Sequence, residues 1–323
     1  MMKRAFTMIE LVVAIVISGI LLSIGVKIFD VIYTNYIQQK RIVELESISK
    51  TVIEQIEKRL SYRIKPTLSM KIGDDYKALD KAKEAEEGVI DYPFIWYMQS
   101  YETQRIFDSN PDNIKRIFGW TGFINLDLDK DKTFPDENGL TINSPESNFL
   151  KIKDIINDLG FSDLFIIFKV DPENNINRYY VKPNTTNLIN PLAHKIEIES
   201  NTNLKINKPL KEILEKKDAN DKFINKLEIS ELYYLSHSIN QLSIDNSKNL
   251  LLTEFIPFGD NGAHKEVSKN VLATNVSSLR FKYLGGSDSI SIKLCLEDPN
   301  TEIKDPNTEN KRILEVCKTQ VVQ

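Results

Sequence analysis

The feature that most constrains this chain is an unbroken apolar stretch close to its N-terminus. Residues 11–26 carry no charged side chain, and Lys3 and Arg4 precede them. As a helix, residues 6–26 would span roughly 32 Å, enough to cross a hydrocarbon core of about 30 Å. The apolar run is too long for the core of a cleaved secretory signal, and no A-x-A-like site follows it. The sequence therefore predicts a membrane-spanning segment.

One acidic residue, Glu10, lies just inside this apolar stretch. A charge at that depth costs on the order of 2–3 kcal/mol, so a plain anchor does not explain it. A carboxylate among apolar helices needs a positive partner, and such a pair can set the register between packed helices. The position of Glu10 therefore predicts a functional residue that has a positively charged partner.

Residues 4–12 have the sequence RAFTMIELV. This segment resembles the signal of type IV pilins and type II secretion pseudopilins. The resemblance implies that a prepilin peptidase cuts between Ala5 and Phe6 on the cytoplasmic side and that Phe6 is then N-methylated. The family usually has Gly before the cut, where this chain has Ala5. It also implies that Glu10 pairs with the Phe6 amine of a neighbouring subunit during assembly.

The predicted helix continues well beyond the membrane. No Gly or Pro occurs between Ile28 and Ile64, and Pro66 follows. Within this run, apolar residues recur at steps of three or four: Leu45, Ile48, Val52, Ile56, Leu60 and Ile64. The spacing predicts an amphipathic outer half that rests on a folded head. We therefore divide the N-terminal part into a leader peptide (1–5), a transmembrane half (6–29) and an amphipathic half (30–65).

The middle of the chain, residues 66–225, is predicted to be a variable α/β insertion region. Its apolar periodicity and turn residues predict a helix over 147–159, a hairpin from strands 164–170 and 176–182, and a strand over 193–199. Pro93 predicts an edge position for the strand within 89–98, because proline cannot donate to a sheet ladder. Residues 99–145 are predicted to be mainly loop, and 209–217 a short helix.

Residues 226–323 are predicted to form a C-terminal antiparallel sheet. Strand patterns separated by turn signals occur at 226–235, 239–244, 250–255, 276–284, 289–296 and 312–316. This part resembles the C-terminal sheet of large minor pilins and of J- or W-type minor pseudopilins. The expected fold class is therefore α+β: a long N-terminal transmembrane-plus-amphipathic helix packed on a mainly antiparallel β-sheet head, as in pilins.

The chain has two cysteines, Cys295 and Cys317. In an oxidising compartment such a pair predicts a disulfide. The bridge would close a loop in the C-terminal sheet, which the resemblance to pilins also implies. Two cysteines without nearby histidines cannot complete a four-ligand metal shell. Between them the turn-forming segment DPNTE occurs twice, at 298–302 and 305–309, which predicts either a solvated hairpin tip or an exposed contact loop.

One other segment offers metal ligands. Asp127, Asp129 and Asp131 alternate in a polar segment, and carboxylate oxygens are the ligands that Ca²⁺ prefers. Compared with an EF-hand loop, Lys132 replaces the required Gly and Asn138 replaces the closing Glu. A Ca²⁺ site and a solvated acidic loop both remain open, and no other cofactor is predicted.

Charge and composition bound the partners. The net charge is −4 and no basic stripe is present, which argues against nucleic acid. Lys3 and Arg4 predict a cytoplasmic N-terminus and a periplasmic head in a single-pass inner-membrane protein that then enters a pilus or pseudopilus. The predicted partners are other pilin or pseudopilin subunits, the prepilin peptidase and the inner-membrane assembly platform.

The predicted function is that of a minor pilin or pseudopilin, a structural subunit. The alternative is a filament-tip adhesin or substrate-binding subunit. An enzyme is not predicted, because the three histidines lie far apart and no nucleophile motif accompanies them.

Overall fold

The computed structural model describes residues 7–73, 75–79, 93–107, 115–125, 134–136, 139–169, 176–180, 192–206, 229–258, 264–284, 289–304 and 311–323. Its largest element is α1, a helix of 54 residues over Met8–Ser61. Among the described residues, α1 is the one helix long and apolar enough to cross a membrane. The helix ends at Ser61, before the predicted boundary at residue 65, and Tyr62 is its C-terminal cap. Pro66 lacks the N–H that would bond back to Tyr62, so the helix cannot continue through it.

The outer part of α1 packs on the head through one face. The residues buried there are Ser49, Val52, Ile53, Ile56 and Leu60. The predicted stripe is therefore confirmed at Val52, Ile56 and Leu60, whereas Ile48 remains exposed. Ile64 is buried beyond the helix end, in a different part of the core.

A second helix, α2 (Phe149–Asp158), lies in the middle of the chain and confirms the helix predicted there. The described residues also contain seventeen strands: β1 (Ser69–Ile72), β2 (Asp75–Ala78), β3 (Phe94–Met98), β4 (Arg105–Phe107), β5 (Arg116–Phe118), β6 (Phe134–Asp136), β7 (Gly139–Asn143), β8 (Leu164–Phe168), β9 (Ala193–Ile198), β10 (Asn203–Ile206), β11 (Tyr233–Ser236), β12 (Ser238–Ile244), β13 (Leu250–Ile256), β14 (Lys265–Ala273), β15 (Val276–Tyr283), β16 (Ile290–Lys304) and β17 (Lys311–Val322).

These strands form three larger sheets and one small one. The first sheet has the order β14-β13-β12-β3-β1-β2, the second β11-β8-β9-β10-β7-β6 and the third β15-β16-β17, while β4 and β5 pair alone. Every pairing between these strands is antiparallel. The expected fold class, a long N-terminal helix with antiparallel sheets, is confirmed.

The sheets enclose three apolar clusters. The first cluster joins α1 to the first and third sheets. The second lies between α2 and the second sheet and contains no residue of α1. The third joins the first sheet to the second around the buried rings of Tyr97, Tyr179 and Tyr180. The head therefore has two layers. One consists of the first and third sheets, and the other consists of the second sheet with α2. Only the first of these layers packs on α1.

Both six-stranded sheets combine strands from before and after residue 225. In the first sheet β12 pairs with β3, and in the second β11 pairs with β8. Residues 226–323 were expected to form one sheet, but their strands are distributed over three. The reason is that β11 and β12 adjoin along the chain yet turn into different sheets around the buried His237.

Several local predictions are wrong. The expected hairpin 164–182 does not form: β8 pairs with β9 and β11, and Ile176–Tyr179 is a short 3-10 helix. Strand β3 is central and not at an edge, because Pro93 stands just before its first residue and removes no ladder bond. Residues 99–145 contain four strands, and β14 was not predicted. The predicted helix 209–217 lies outside the described residues.

Candidate functional site

The N-terminus of α1 is closed by a reciprocal contact between Thr7 and Glu10. The Thr7 side chain accepts from the Glu10 backbone N–H at 3.4 Å, while Glu10 Oε2 accepts from the Thr7 N–H and hydroxyl, both at 2.9 Å. This is a capping box, which satisfies two donors that the first helical turn leaves unpaired. Thr7 was missed at the sequence level, although T-x-x-E before an apolar run is the known signature. Ala5 and Phe6 lie outside the described residues.

The inner part of α1 is not covered by the head. Every large apolar side chain from Met8 to Tyr36 is at least half exposed. A soluble monomer rarely exposes a contiguous apolar patch above a few hundred Å², so this surface requires a bilayer or partner helices. Glu10 lies at the start of that surface.

The first 26 residues match the family model described as the prokaryotic N-terminal methylation motif. The chain carries a prepilin signal. This is the signal found in type IV pilins and pseudopilins, the class of proteins that prepilin peptidase processes. No curated protein and no solved structure matches the chain significantly. The matched segment therefore includes the exposed start of α1 and stops before the part of the helix that packs on the head.

The disulfide between Cys295 and Cys317 is present. The two residues face each other directly in the β16–β17 ladder, with Cα atoms 4.0 Å apart. Ladder pairs continue on both sides of the bridge, so the bridge lies within the hairpin and does not mark its base. The first DPNTE copy, 298–302, is an irregularity within β16 and not a free tip. The second copy, 305–309, lies outside the described residues.

The part of this hairpin that contains Asp298 and Glu302 contacts α1. Arg41 Nε lies 3.6 Å from Asp298 Oδ2, and Gln38 Nε2 donates to the Glu302 carbonyl at 3.5 Å. Asp298 also accepts from the Thr301 hydroxyl at 2.8 Å, which holds the irregular segment in place. Since Arg41 is about half exposed, its ion pair contributes at most about 1 kcal/mol. The contact therefore fixes where the hairpin lies along the helix more than it stabilises the fold.

Other candidate chemistry is structural. His237 Nδ1 lies 3.0 Å from Ser100 Oγ, but both residues are buried, so no substrate can reach them. Among the described residues, Cys295, Glu315 and Cys317 bring three candidate metal-ligand atoms together. The two sulfur atoms are in the disulfide and cannot act as thiolates. The predicted Ca²⁺ ligands Asp127, Asp129 and Asp131 lie outside the described residues.

Proposed function

We propose that this protein is a minor pilin or minor pseudopilin, a structural subunit of a type IV pilus or a type II secretion-like filament. The observation that carries the proposal is a prepilin signal that leads directly into a single long helix whose inner half is uncovered. An anchor alone would need an apolar span, but it would not need a helix that continues into the head. Its size, 323 residues, favours a minor component, because a repeating subunit must stack densely.

In this proposal the chain is held in the bacterial inner membrane with its head in the periplasm, and prepilin peptidase cuts between Ala5 and Phe6. The freed Phe6 amine is methylated and the anchor stays attached. Glu10 then pairs with the Phe6 amine of a neighbouring subunit. Both bonds that the Glu10 carboxylate accepts in the single chain end on Oε2, so the other carboxylate oxygen, Oε1, is the one offered to that amine. The assembly platform gathers the subunits.

The mass of the mature N-terminus tests the processing step. In peptidase-competent cells we expect a chain that begins at Phe6 and carries one added methyl group. The same cells without the peptidase should yield the chain with its leader attached. An uncut chain in the competent cells would contradict the proposal.

The assembly role of Glu10 is tested by Glu10→Ala. We expect normal membrane insertion but a clear loss of incorporation into filaments, because the neighbour's amine loses its carboxylate. Thr7→Val is the matched control, since it breaks the capping box but keeps the carboxylate. Incorporation that falls equally in both variants would show that Glu10 acts through the helix cap instead.

A second candidate, a filament-tip or substrate-binding subunit, is favoured by the way the head is packed. The apolar cluster around α2 contains no residue of α1, so this layer is not required to support the helix. Loops on such a rigid scaffold are suited to binding. Residues 66–225 cannot simply be deleted to test this, because β1 and β3 belong to the sheet that packs on α1.

A further inference from the structure

The small sheet β4–β5 carries the same tripeptide, Arg-Ile-Phe, in both strands. Its register places Arg105 opposite Phe118 and Phe107 opposite Arg116. Because side chains alternate between the two faces of a strand, these four lie on one face and Ile106 on the other. Phe107 is 58% exposed and Phe118 42%, whereas Ile106 is 5% exposed. We call the four residues Arg105, Phe107, Arg116 and Phe118 the Arg/Phe face.

Each arginine of this face is held by the ring across from it. Arg105 Cζ lies 5.7 Å from the centroid of Phe118, and Arg116 Cζ lies 5.4 Å from that of Phe107. In the described part of the chain neither guanidinium forms an ion pair. Stacking on a ring orders the planar guanidinium while its N–H edge stays available to an anion. The face therefore presents two ordered cations beside exposed aromatic carbon.

The residues that flank the β4–β5 hairpin contact the C-terminal end of α1. The Gly119 N–H donates to the Gln104 carbonyl at 3.1 Å, and a Cβ at Gly119 would lie 1.9 Å from Thr103 O, so only glycine allows this approach. Tyr101, just before the hairpin, stacks on Tyr62 with centroids 3.9 Å apart.

This position separates the Arg/Phe face from the bilayer. Tyr62 is 33 residues beyond residue 29 (62 minus 29), the predicted end of the spanning half, or about 50 Å along a helix. Arg105 is only four residues from Tyr101, at most about 14 Å. The lipid headgroups around the anchor are therefore out of reach, and the anion must come from elsewhere.

We propose that the Arg/Phe face binds an extended acidic segment of a partner protein, with carboxylates on alternate residues. Diagonal positions of an antiparallel pair, such as Arg105 and Arg116, are about 7–8 Å apart, and alternate residues of an extended strand are about 7 Å apart. Each guanidinium can take one carboxylate in a two-pronged bond, while the apolar residue between the carboxylates points away from the face. Nucleic acid is disfavoured, because the chain has a net charge of −4 and the face holds only two cations.

The test uses the full-length protein in detergent and two labelled peptides, Val-Asp-Val-Asp-Val and Val-Val-Asp-Asp-Val, with binding measured by fluorescence anisotropy. We expect the alternating peptide to bind about tenfold more tightly than the adjacent one, because only its carboxylates match the spacing. The double variant Arg105→Gln, Arg116→Gln should lose at least about tenfold in affinity for it. Arg105→Lys with Arg116→Lys should lose most of this too, because lysine lacks the planar fork.

The matched control removes two exposed cations elsewhere, Lys265→Gln with Lys269→Gln on β14. This variant should bind the alternating peptide like wild type, and thermal melts should show that all variants are folded. Equal affinity of wild type and the arginine-to-glutamine variant would overturn the proposal. So would arginine-dependent binding of oligothymidylate in place of the peptide. A rise in peptide affinity in Asp127→Asn with Asp129→Asn would show that the chain's own acidic segment occupies the face, which also overturns a partner.

Discussion

At the scale of single residues, His237 is a buried group whose protonation depends on whether the chain is folded. It is 4% exposed and its Nδ1 lies 3.0 Å from Ser100 Oγ. Burial, together with a smaller effect of the Arg59 charge, lowers the pKa of His237 to about 4. The imidazole is therefore neutral in the folded protein at pH values where an unfolded chain would already be protonated.

This predicts a loss of stability in mild acid. Above pH 6.5 the imidazole is neutral in both states and its contribution is fully present. As pH falls from about 6.5 to about 4, the unfolded chain takes up a proton that the folded chain does not, so the free energy of unfolding falls by roughly 3 kcal/mol. Denaturant melts of the protein in detergent between pH 7 and pH 4 measure this loss.

The variant His237→Gln provides the control for that experiment. Its stability should depend less steeply on pH over the same interval, and the difference between the two slopes isolates His237 from the carboxylates. If the free energy of unfolding depends equally on pH in both proteins, His237 is not the source of the loss of stability in acid. Burial also lowers the pKa of His264, so some slope should remain in the variant.

How far single residues could be predicted depends on where their partners lie along the chain. Glu10 stands out in the sequence because a charge inside an apolar run is costly by itself. Thr7 could have been found from the same four residues. The roles of Ser100 and Arg105 could not, because Ser100 meets His237 across 137 positions and the face of Arg105 depends on a strand register.

At the scale of elements, the β16–β17 hairpin depends on both its ladder and its disulfide. Removing the bridge with Cys295→Ala and Cys317→Ala should lower the free energy of unfolding by about 3 kcal/mol, since the bridge closes a loop with a sequence separation of 22. The folded hairpin should persist, because ladder pairs flank the bridge on both sides. Denaturant melts measure the loss, and reducing the wild-type protein should reproduce it. An unchanged midpoint in both experiments would contradict the prediction.

The elements that the sequence predicted best are those whose neighbours follow directly along the chain. Strands β12 and β13 form a hairpin over Asp245–Asn249, and both were predicted nearly to their ends. The hairpin predicted after β8 does not form. A turn signal indicates only that the chain reverses direction, and it does not determine which strand pairs with β8. Strand β8 is buried throughout and takes its neighbours from more than 25 residues away. Such pairing is decided by packing between layers, which no local pattern records.

At the scale of the whole molecule, α1 serves two environments that meet along its length. Its inner apolar residues are uncovered, while Val52, Ile53, Ile56 and Leu60 complete the cluster shared by the first and third sheets. The sequence predicted this division from the position of charges and the spacing of apolar residues. It could not show that the helix supports only one of the two layers of the head.

This division predicts the outcome of two truncations. A chain that begins at Val31 keeps all the helix residues that pack on the head, so it should be soluble and should melt cooperatively. A chain that begins at Tyr62 loses the four buried apolar side chains of α1. Each contributes about 1.5–3 kcal/mol by burial, or roughly 6–12 kcal/mol together, comparable with the 5–15 kcal/mol that stabilises a typical domain.

The shorter chain should therefore fail to fold, and circular dichroism with thermal melts would show this as a missing cooperative transition. Substituting Val52→Ala with Ile56→Ala in the longer chain provides a graded control, since two cavities should lower its midpoint without abolishing folding. A folded chain from Tyr62 onward would mean that the sheets are stable without the helix. In that case α1 would only attach the head to the filament, and its packing against the sheets would not be needed for the head to fold.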